Sequence, residues 1–245
     1  MKGDPFNTLI LAGGFGTRLG ELGKSISKPL LKIAGKPILE HILESVSDLP
    51  GCKDDLILTN SRFFSQYDEW LRTQADKSRI SILNNDNGDH TPDIITNIAL
   101  TIDRIGIKTD LLIVGGDNFF DSLLHDFVSF SRIHGISTLL ADVKSLEDAK
   151  RFSVVSLDNE NRITTLSEKP TAPNSTLVTT CIYWFPLATL HYFRMFCQST
   201  PSVASFGYFM QWLITKENLF GFLYPGKWYD IGTKEIYESL LKTKE

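Results

Sequence analysis

Leu9-Ile10-Leu11-Ala12-Gly13-Gly14-Phe15-Gly16-Thr17-Arg18-Leu19, closed by Ser27-Lys28-Pro29-Leu30-Leu31, is the stretch from which the fold follows. An apolar run, residues 7–12, reads as a buried parallel strand that delivers the backbone to a glycine-rich turn. Glycines at 13, 14 and 16 let main-chain N–H groups come close to an anion, because no Cβ intervenes and positive φ is permitted. Arg18 and Lys28 follow where they can add full positive charge to those partial charges. The chemistry is that of a polyphosphate site, although Gly-Gly-x-Gly after a strand is also an ordinary tight turn.

Commoner phosphate motifs do not fit. A dinucleotide fingerprint needs a glycine at position 19, which is Leu. Gly23-Lys24-Ser25 resembles the end of a P-loop, but the glycine that should open it falls on Arg18. A kinase glycine loop needs that same third glycine and a following strand lysine. What the stretch does resemble, taken with Gly35-Lys36-Pro37, is the signature of the sugar-phosphate nucleotidyltransferases, glucose-1-phosphate thymidylyltransferases and their uridylyl, adenylyl and guanylyl relatives among them.

Length and composition agree with one large α/β domain. The 245 residues are 42% hydrophobic and 22% charged, enough for a sizeable core. A net charge of −4 argues against a nucleic-acid binder. Cys52, Cys181 and Cys197 are widely spaced, which reads as reduced thiols in a cytoplasmic protein and not as a disulfide frame or zinc site. No apolar run is long enough for a leader or a membrane span. The five histidines show no metal-ligand spacing.

Strand and helix patterns alternate through the first half, predicting a mostly parallel sheet covered on both faces. Pro37 opens a helix with Ile38, Leu39, Ile42, Leu43 and Val46 on its apolar side. Asp55–Thr59 is a strand, and 63–73 a helix with Phe64, Tyr67, Trp70 and Leu71 inward. Strands follow at 80–83, 110–114 and 137–143, with helices at 93–105 and 121–134. From residue 146 the pattern changes. Residues 152–157 and 162–167 flank Asp158-Asn159-Glu160-Asn161 as an antiparallel hairpin ending in Glu168-Lys169-Pro170. Strand 177–185, helix 187–196, an aromatic stripe over 205–217, strand 219–223 and helix 234–241 complete the chain. The stripe reads as core or a subunit contact. The expected whole is a three-layer, Rossmann-like α/β domain with a mixed, mostly parallel sheet: a nucleotide-binding half over 1–145 and a smaller α+β sugar-binding half over 146–245.

Asp117, in Gly115-Gly116-Asp117-Asn118, sits where ligands bind, at the carboxyl end of a parallel strand. The alternative, a helix cap, is served as well by Asn118 or Asp121. Asp230, in Trp228-Tyr229-Asp230-Ile231-Gly232-Thr233, is likewise not needed as a cap, since Thr233 can do that.

The resemblance implies roles for these positions. Leu11, Ala12, Gly13, Gly14, Gly16 and Thr17, with Asp117, would contact the nucleotide, and Asp117 and Asp230 would hold Mg2+. Glu168, Lys169, Ser153 and Thr179 would form the sugar-phosphate pocket. Arg18 would hold the leaving β- and γ-phosphates, and Lys28 would neutralise the α-phosphate. The implied substrates are a nucleoside triphosphate, dTTP or UTP, and a sugar 1-phosphate, glucose 1-phosphate. The sugar phosphate attacks in line and pyrophosphate leaves. The family also implies a homo-oligomer. Departures from its pattern occur at Ser153 and Cys181, which stand where glycines are usual, and at Glu21-Leu22-Gly23. The base-binding loop, 84–95, is atypical and yields no base-contacting residue. Two other readings are a cytidylyl- or guanylyltransferase acting on another phosphorylated sugar or alcohol, and a non-catalytic nucleotide-sugar-binding homologue.

Overall fold

The computed structural model describes residues 3–84, 93–199 and 205–244. The chain forms two compact units whose segments alternate along the sequence. Unit 1 takes Met1–Thr91, Ile113–His125 and Gly226–Glu245, and unit 2 takes Pro92–Leu112 and Asp126–Pro225. This partition differs from a single division at residue 145, because the third segment of unit 1 follows all of unit 2 in sequence.

In unit 1 the strands Phe6–Leu11, Cys52–Thr59 and Ile80–Asn84 run parallel, with Leu11 opposite Leu58 and Leu58 opposite Leu83. Their buried apolar stretches, Leu9 with Ile10 and Leu56 with Ile57 and Leu58, are the parts that adjoin one another in the sheet interior. Helix Ile38–Ser47 buries Ile38, Leu39, Ile42 and Val46, while Leu43 stays half-exposed and Ser45 takes a buried position. Helix Phe64–Thr73 buries Tyr67 and Trp70. Phe64 is exposed, against the sequence expectation. Phe63, one residue earlier and just outside the helix, is the aromatic ring that enters the core.

The carboxyl end of strand Asp110–Gly115 lies beside Phe6–Leu11. It is followed by Asn118–Phe120, which pairs antiparallel with Trp228–Asp230. That ribbon was not foreseen. It also explains why the next helix begins at His125 and not at 121: Asp121 instead accepts the Lys227 N–H on its Oδ1, at 2.7 Å. Thr233 caps the last helix, Lys234–Lys244, with its Oγ1 3.5 Å from the Ile236 N–H.

Unit 2 is built mainly of antiparallel pairs. Ser153–Leu157 and Ile163–Glu168 form the expected hairpin, and Leu177–Phe185 pairs with both Ser137–Asp142 and Ser153–Leu157. Phe220–Leu223 adds a parallel edge to Ser137–Asp142. The helical segment expected over 187–196 splits into a single turn, Leu187–Thr189, and the helix His191–Ser199. The aromatic stripe is core: in helix Phe206–Leu213, Phe206, Phe209, Met210 and Leu213 are buried. Phe206 stacks on Tyr183 at 4.2 Å, and Phe209 on Phe193 at 4.6 Å. Periodic apolar residues signal burial before they signal a ligand.

Candidate active site

Parallel strands end together on one edge of unit 1, and the loops leaving them are tied to one another by backbone bonds. The Ala12 N–H donates to the Leu58 carbonyl (2.8 Å), and Asn60 Nδ2 donates to the Gly13 carbonyl (2.7 Å). From the other side the Gly116 N–H donates to the Leu11 carbonyl at 2.9 Å. A Cβ at Gly116 would lie 2.7 Å from both that carbonyl oxygen and Pro29 Cγ. Glycine at 116 is therefore what lets Asp117 approach the N-terminal turn, a requirement fixed by packing.

The glycines of the turn divide into two kinds. Gly16 is left-handed (φ +64°), and a Cβ on Gly23 would fall 2.1 Å from the Gly16 carbonyl oxygen, so these two serve the fold of the loop. Gly13 and Gly14 are different. Neither has positive φ; a Cβ at Gly14 would meet nothing within 4 Å, and at Gly13 nothing closer than 3.8 Å. The expected need for positive φ thus applies to Gly16 alone. At 13 and 14 the protein's own packing does not call for glycine, which leaves room for a ligand against the backbone.

Two acid–base neighbours occupy this edge. Lys28 is buried, its side chain 10% exposed, with Nζ 3.2 Å from Asp117 Oδ2. A methyl at Gly232 would lie 3.0 Å from Asp230 Oδ2 and 3.5 Å from Arg18 Nη2, so these two groups flank one spot. The acids are brought together by the unforeseen ribbon: the Ile231 N–H donates to the Asp117 carbonyl at 2.9 Å, and Asp230 pairs with Asn118. Asn118 holds the ribbon's register, accepting from Trp228 Nε1 and donating to the Gly115 carbonyl. Ser27, immediately before Lys28, is fully buried and shares a 2.6 Å hydrogen bond with the Tyr67 hydroxyl. Burial raises the Tyr67 pKa well above that of a free tyrosine, the Ser27 bond only partly opposing it, so the group stays a neutral phenol.

Among the described residues no three acidic, histidine or cysteine side chains cluster as a metal cage. Two carboxylates at neighbouring backbone positions suit a different case. Mg2+ keeps several waters and takes one or two carboxylates, the rest of its octahedron coming from phosphate oxygens. The donor set here fits a cation that arrives with a polyphosphate.

Glu168, Lys169, Ser153 and Thr179, the residues expected for the sugar phosphate, all lie in unit 2. Glu168 is buried (side chain 7% exposed); Ser153 Oγ donates to its Oε2, and Ser205 Oγ to its Oε1 at 3.0 Å. A Cβ on Gly207 would fall 1.9 Å from Glu168 Oε2. Ser205 also caps helix Phe206–Leu213, so the carboxylate is part of the packing of that helix end. Lys169 leaves this group on left-handed backbone (φ +45°), its ammonium 3.8 Å from Glu168 Oε1 and its side chain 62% exposed. Thr179 is linked less directly: its buried hydroxyl accepts from Tyr183 at 3.4 Å, and the Tyr183 ring stacks on Phe206 of the helix that Ser205 caps. The Tyr183 pKa lies well above the ordinary phenol value, from burial first and then the charge of Cys181 and Glu168. Cys181 keeps a left-handed φ of +60°, so the backbone there has the conformation that glycine adopts freely although the side chain is larger.

Sequence reasoning missed Gly23, Gly207 and Gly232 and the ribbon role of Asn118, and it read Gly116 without the packing against Leu11 and Pro29 that requires it. Gly116, Gly207 and Asn118 matter through neighbours remote in sequence, and the Gly-Gly-Asp-Asn spelling marked two of them. The base-binding loop lies largely outside the described residues, at 85–92.

Residues 7–245 match the family described as nucleotidyl transferase. The chain is 28% identical over 226 residues to the bifunctional protein GlmU of Methanocaldococcus jannaschii, covering 92% of this chain and 51% of that one. It is 28% identical over 258 residues to the mannose-1-phosphate guanylyltransferase catalytic subunit beta of Drosophila pseudoobscura pseudoobscura, covering 99% and 65%. It thus spans about half the length of the GlmU relative. In fold it is similar to a putative glucose-1-phosphate thymidylyltransferase from Bacillus anthracis (TM-score 0.83, 23% identity, 98% and 95% covered). A UDP-glucose pyrophosphorylase solved with UDP-glucose is similar too (TM-score 0.82, 19% identity, 98% of both chains). The α/β, Rossmann-like architecture with a mixed, mostly parallel sheet is shared with these structures.

Proposed function

The chain belongs to the nucleotidyl transferase family, and from that premise we propose that it transfers a nucleotidyl group from a nucleoside triphosphate to a sugar 1-phosphate, releasing pyrophosphate. The observation that carries the reading is a pair of cations each near a carboxylate: Lys28 3.2 Å from Asp117, which follows a parallel strand, and Arg18 across Gly232 from Asp230 of the antiparallel ribbon.

The obstacle to such a reaction is electrostatic, since two anions must meet. A sugar phosphate is already nucleophilic, so no serine–histidine pair is required. Lys28 is the group assigned to charge building at the α-phosphate, and Arg18, with its forked guanidinium, to the leaving β- and γ-phosphates. Leu11, Ala12, Gly13, Gly14, Gly16 and Thr17 line the triphosphate. Lys169 is assigned the sugar phosphate, with Glu168, Ser153 and Thr179 shaping its pocket. Asp117 and Asp230 would hold Mg2+, whose chemistry is to screen phosphate repulsion and steady the leaving group. Catalysis is then positioning plus preorganised charge. The same reading places the protein in the cytoplasm, as a homo-oligomer, with residues 1–145 serving mainly the nucleotide and 146–245 the sugar.

Glucose 1-phosphate with dTTP or UTP is the first pair to test. GTP with mannose 1-phosphate is the second, on the strength of the similarity to the guanylyltransferase subunit. A panel of triphosphates and sugar 1-phosphates, read by pyrophosphate release with and without Mg2+, tests the proposal. Release that needs both substrates and the metal supports it; no release with any pair refutes it.

A further inference from the structure

The segment between the two cations has few bonds of its own. Glu21–Ser25 is a helix of five residues, too short to be stable alone. Ile26 and Ser27 then run extended into the single turn that carries Lys28. In extended backbone the Ser25 carbonyl and the Ser27 N–H point to the same side, where a neighbouring strand would pair with both. Among the described strands none lies there.

One side chain takes the place of that strand. Gln66 Nε2 donates to the Ser25 carbonyl at 2.9 Å, while Gln66 Oε1 accepts the Ser27 N–H at 3.0 Å. The two bonds straddle Ile26 as one residue of a parallel neighbour would. Only a primary amide offers donor and acceptor in this arrangement. The same helical region adds Arg62 Nη2 to the Lys24 carbonyl at 2.8 Å, and the Tyr67 hydroxyl to Ser27. Three side chains therefore hold residues 24, 25 and 27, directly before Lys28.

We propose that Gln66 is a positioning residue for Lys28, supported by Tyr67: its amide fixes the backbone from which the buried ammonium reaches forward. The inference rests on the role assigned to Lys28 in the proposed reaction. Gln66 acts through that lysine and has no part in the chemistry itself.

A double-mutant cycle tests it. With the substrate pair that gives the fastest pyrophosphate release in the parent, Gln66→Met should lower kcat about tenfold, within the range for losing the two backbone hydrogen bonds that Gln66 makes. KM for the triphosphate should change less than about threefold. Gln66→Glu, which keeps the shape and loses the donor, should fall between parent and Gln66→Met. On a Lys28→Ala background Gln66→Met should cost nothing further. A full, independent loss on both backgrounds overturns the proposal, as does unchanged kcat in Gln66→Met. If Lys28→Ala alone leaves kcat intact, the fault is in the role given to Lys28. Amide hydrogen exchange gives a readout that needs no turnover. The Ser27 N–H should exchange at least tenfold faster in Gln66→Met, and unchanged protection there refutes the clamp even if the parent releases no pyrophosphate.

Discussion

Lys28 and Lys169 are both lysines assigned to phosphate, yet the two units present them in opposite ways. Lys28 is buried, with Ser25 and Ser27 just before it bonded by Gln66 and Tyr67, and its ammonium is beside Asp117. Lys169 is mostly exposed, and in its group it is the neighbouring Glu168 that is buried and bonded by two serine hydroxyls. A buried ammonium is costly unless paired, so Lys28 is affordable only because an acid from elsewhere in the chain faces it. The difference separates a charge fixed before the ligand comes from a charge that is still free to move. Fixed charges contribute most where charge develops during reaction, and mobile ones contribute to capture.

The contrast is broken most directly at Lys28. Lys28→Ala should lower kcat by roughly a hundredfold or more, the effect of deleting one preorganised charge contact. Pyrophosphate release at saturating triphosphate measures it, and a change confined to KM would put Lys28 in the same class as Lys169. Next in size is the packing around Glu168. Gly207→Ala drives a methyl into that carboxylate and should cost about 2 kcal/mol, within the range for overpacking, seen as a lower Tm. An unshifted Tm would mean that the Glu168 group yields easily. Lys169→Ala should raise KM for the sugar phosphate about tenfold while kcat falls less, as expected for one exposed charged hydrogen bond. Equal losses in kcat and kcat/KM would show that this lysine acts on the reaction as Lys28 does.

Smaller effects sharpen the picture of the rigid side. Tyr67→Phe removes the partner of the buried Ser27 hydroxyl and should cost about 1 kcal/mol in chemical denaturation. Cys52 reports on burial at the opposite, amino end of the same parallel strands, where it faces Phe6. Desolvation, helped by the charge of Asp55, raises its thiol to about 11. Only the thiolate reacts with alkylating agents, so labelling of folded protein should be slow at pH 8 and rise with pH until about 11. The sign follows from the folded state holding this proton more tightly than the unfolded chain. Rapid labelling at pH 8 would show that the site opens.

What was legible in the sequence was local in the chain. The glycine turn, the strand before it, Gly-Gly-Asp after another strand and the hairpin before Glu-Lys-Pro all declare themselves within about ten residues. What was not legible depends on partners far away. Asn118–Phe120 and Trp228–Asp230 are three residues each, too short to show a period, and they become a ribbon only by finding one another. Gly23 is glycine because of Gly16, and Gly207 because of Glu168. Phe63 is buried and Phe64 is not because Phe63 stands four residues before Tyr67 and seven before Trp70, on their inward side. The interleaving of the two units leaves no trace in composition.

That interleaving bears on how the protein is made. Arg18, Lys28 and Asp117 are synthesised early, and the whole of residues 126–225 is then added before Asp230 leaves the ribosome. For most of translation Arg18 lacks the acid that ends up beside it, and the ribbon that ties Asp117 in place has one of its two edges missing. The second unit, itself in two segments, is complete once Pro225 has been made, but the first must stay open until residues 226–245 follow.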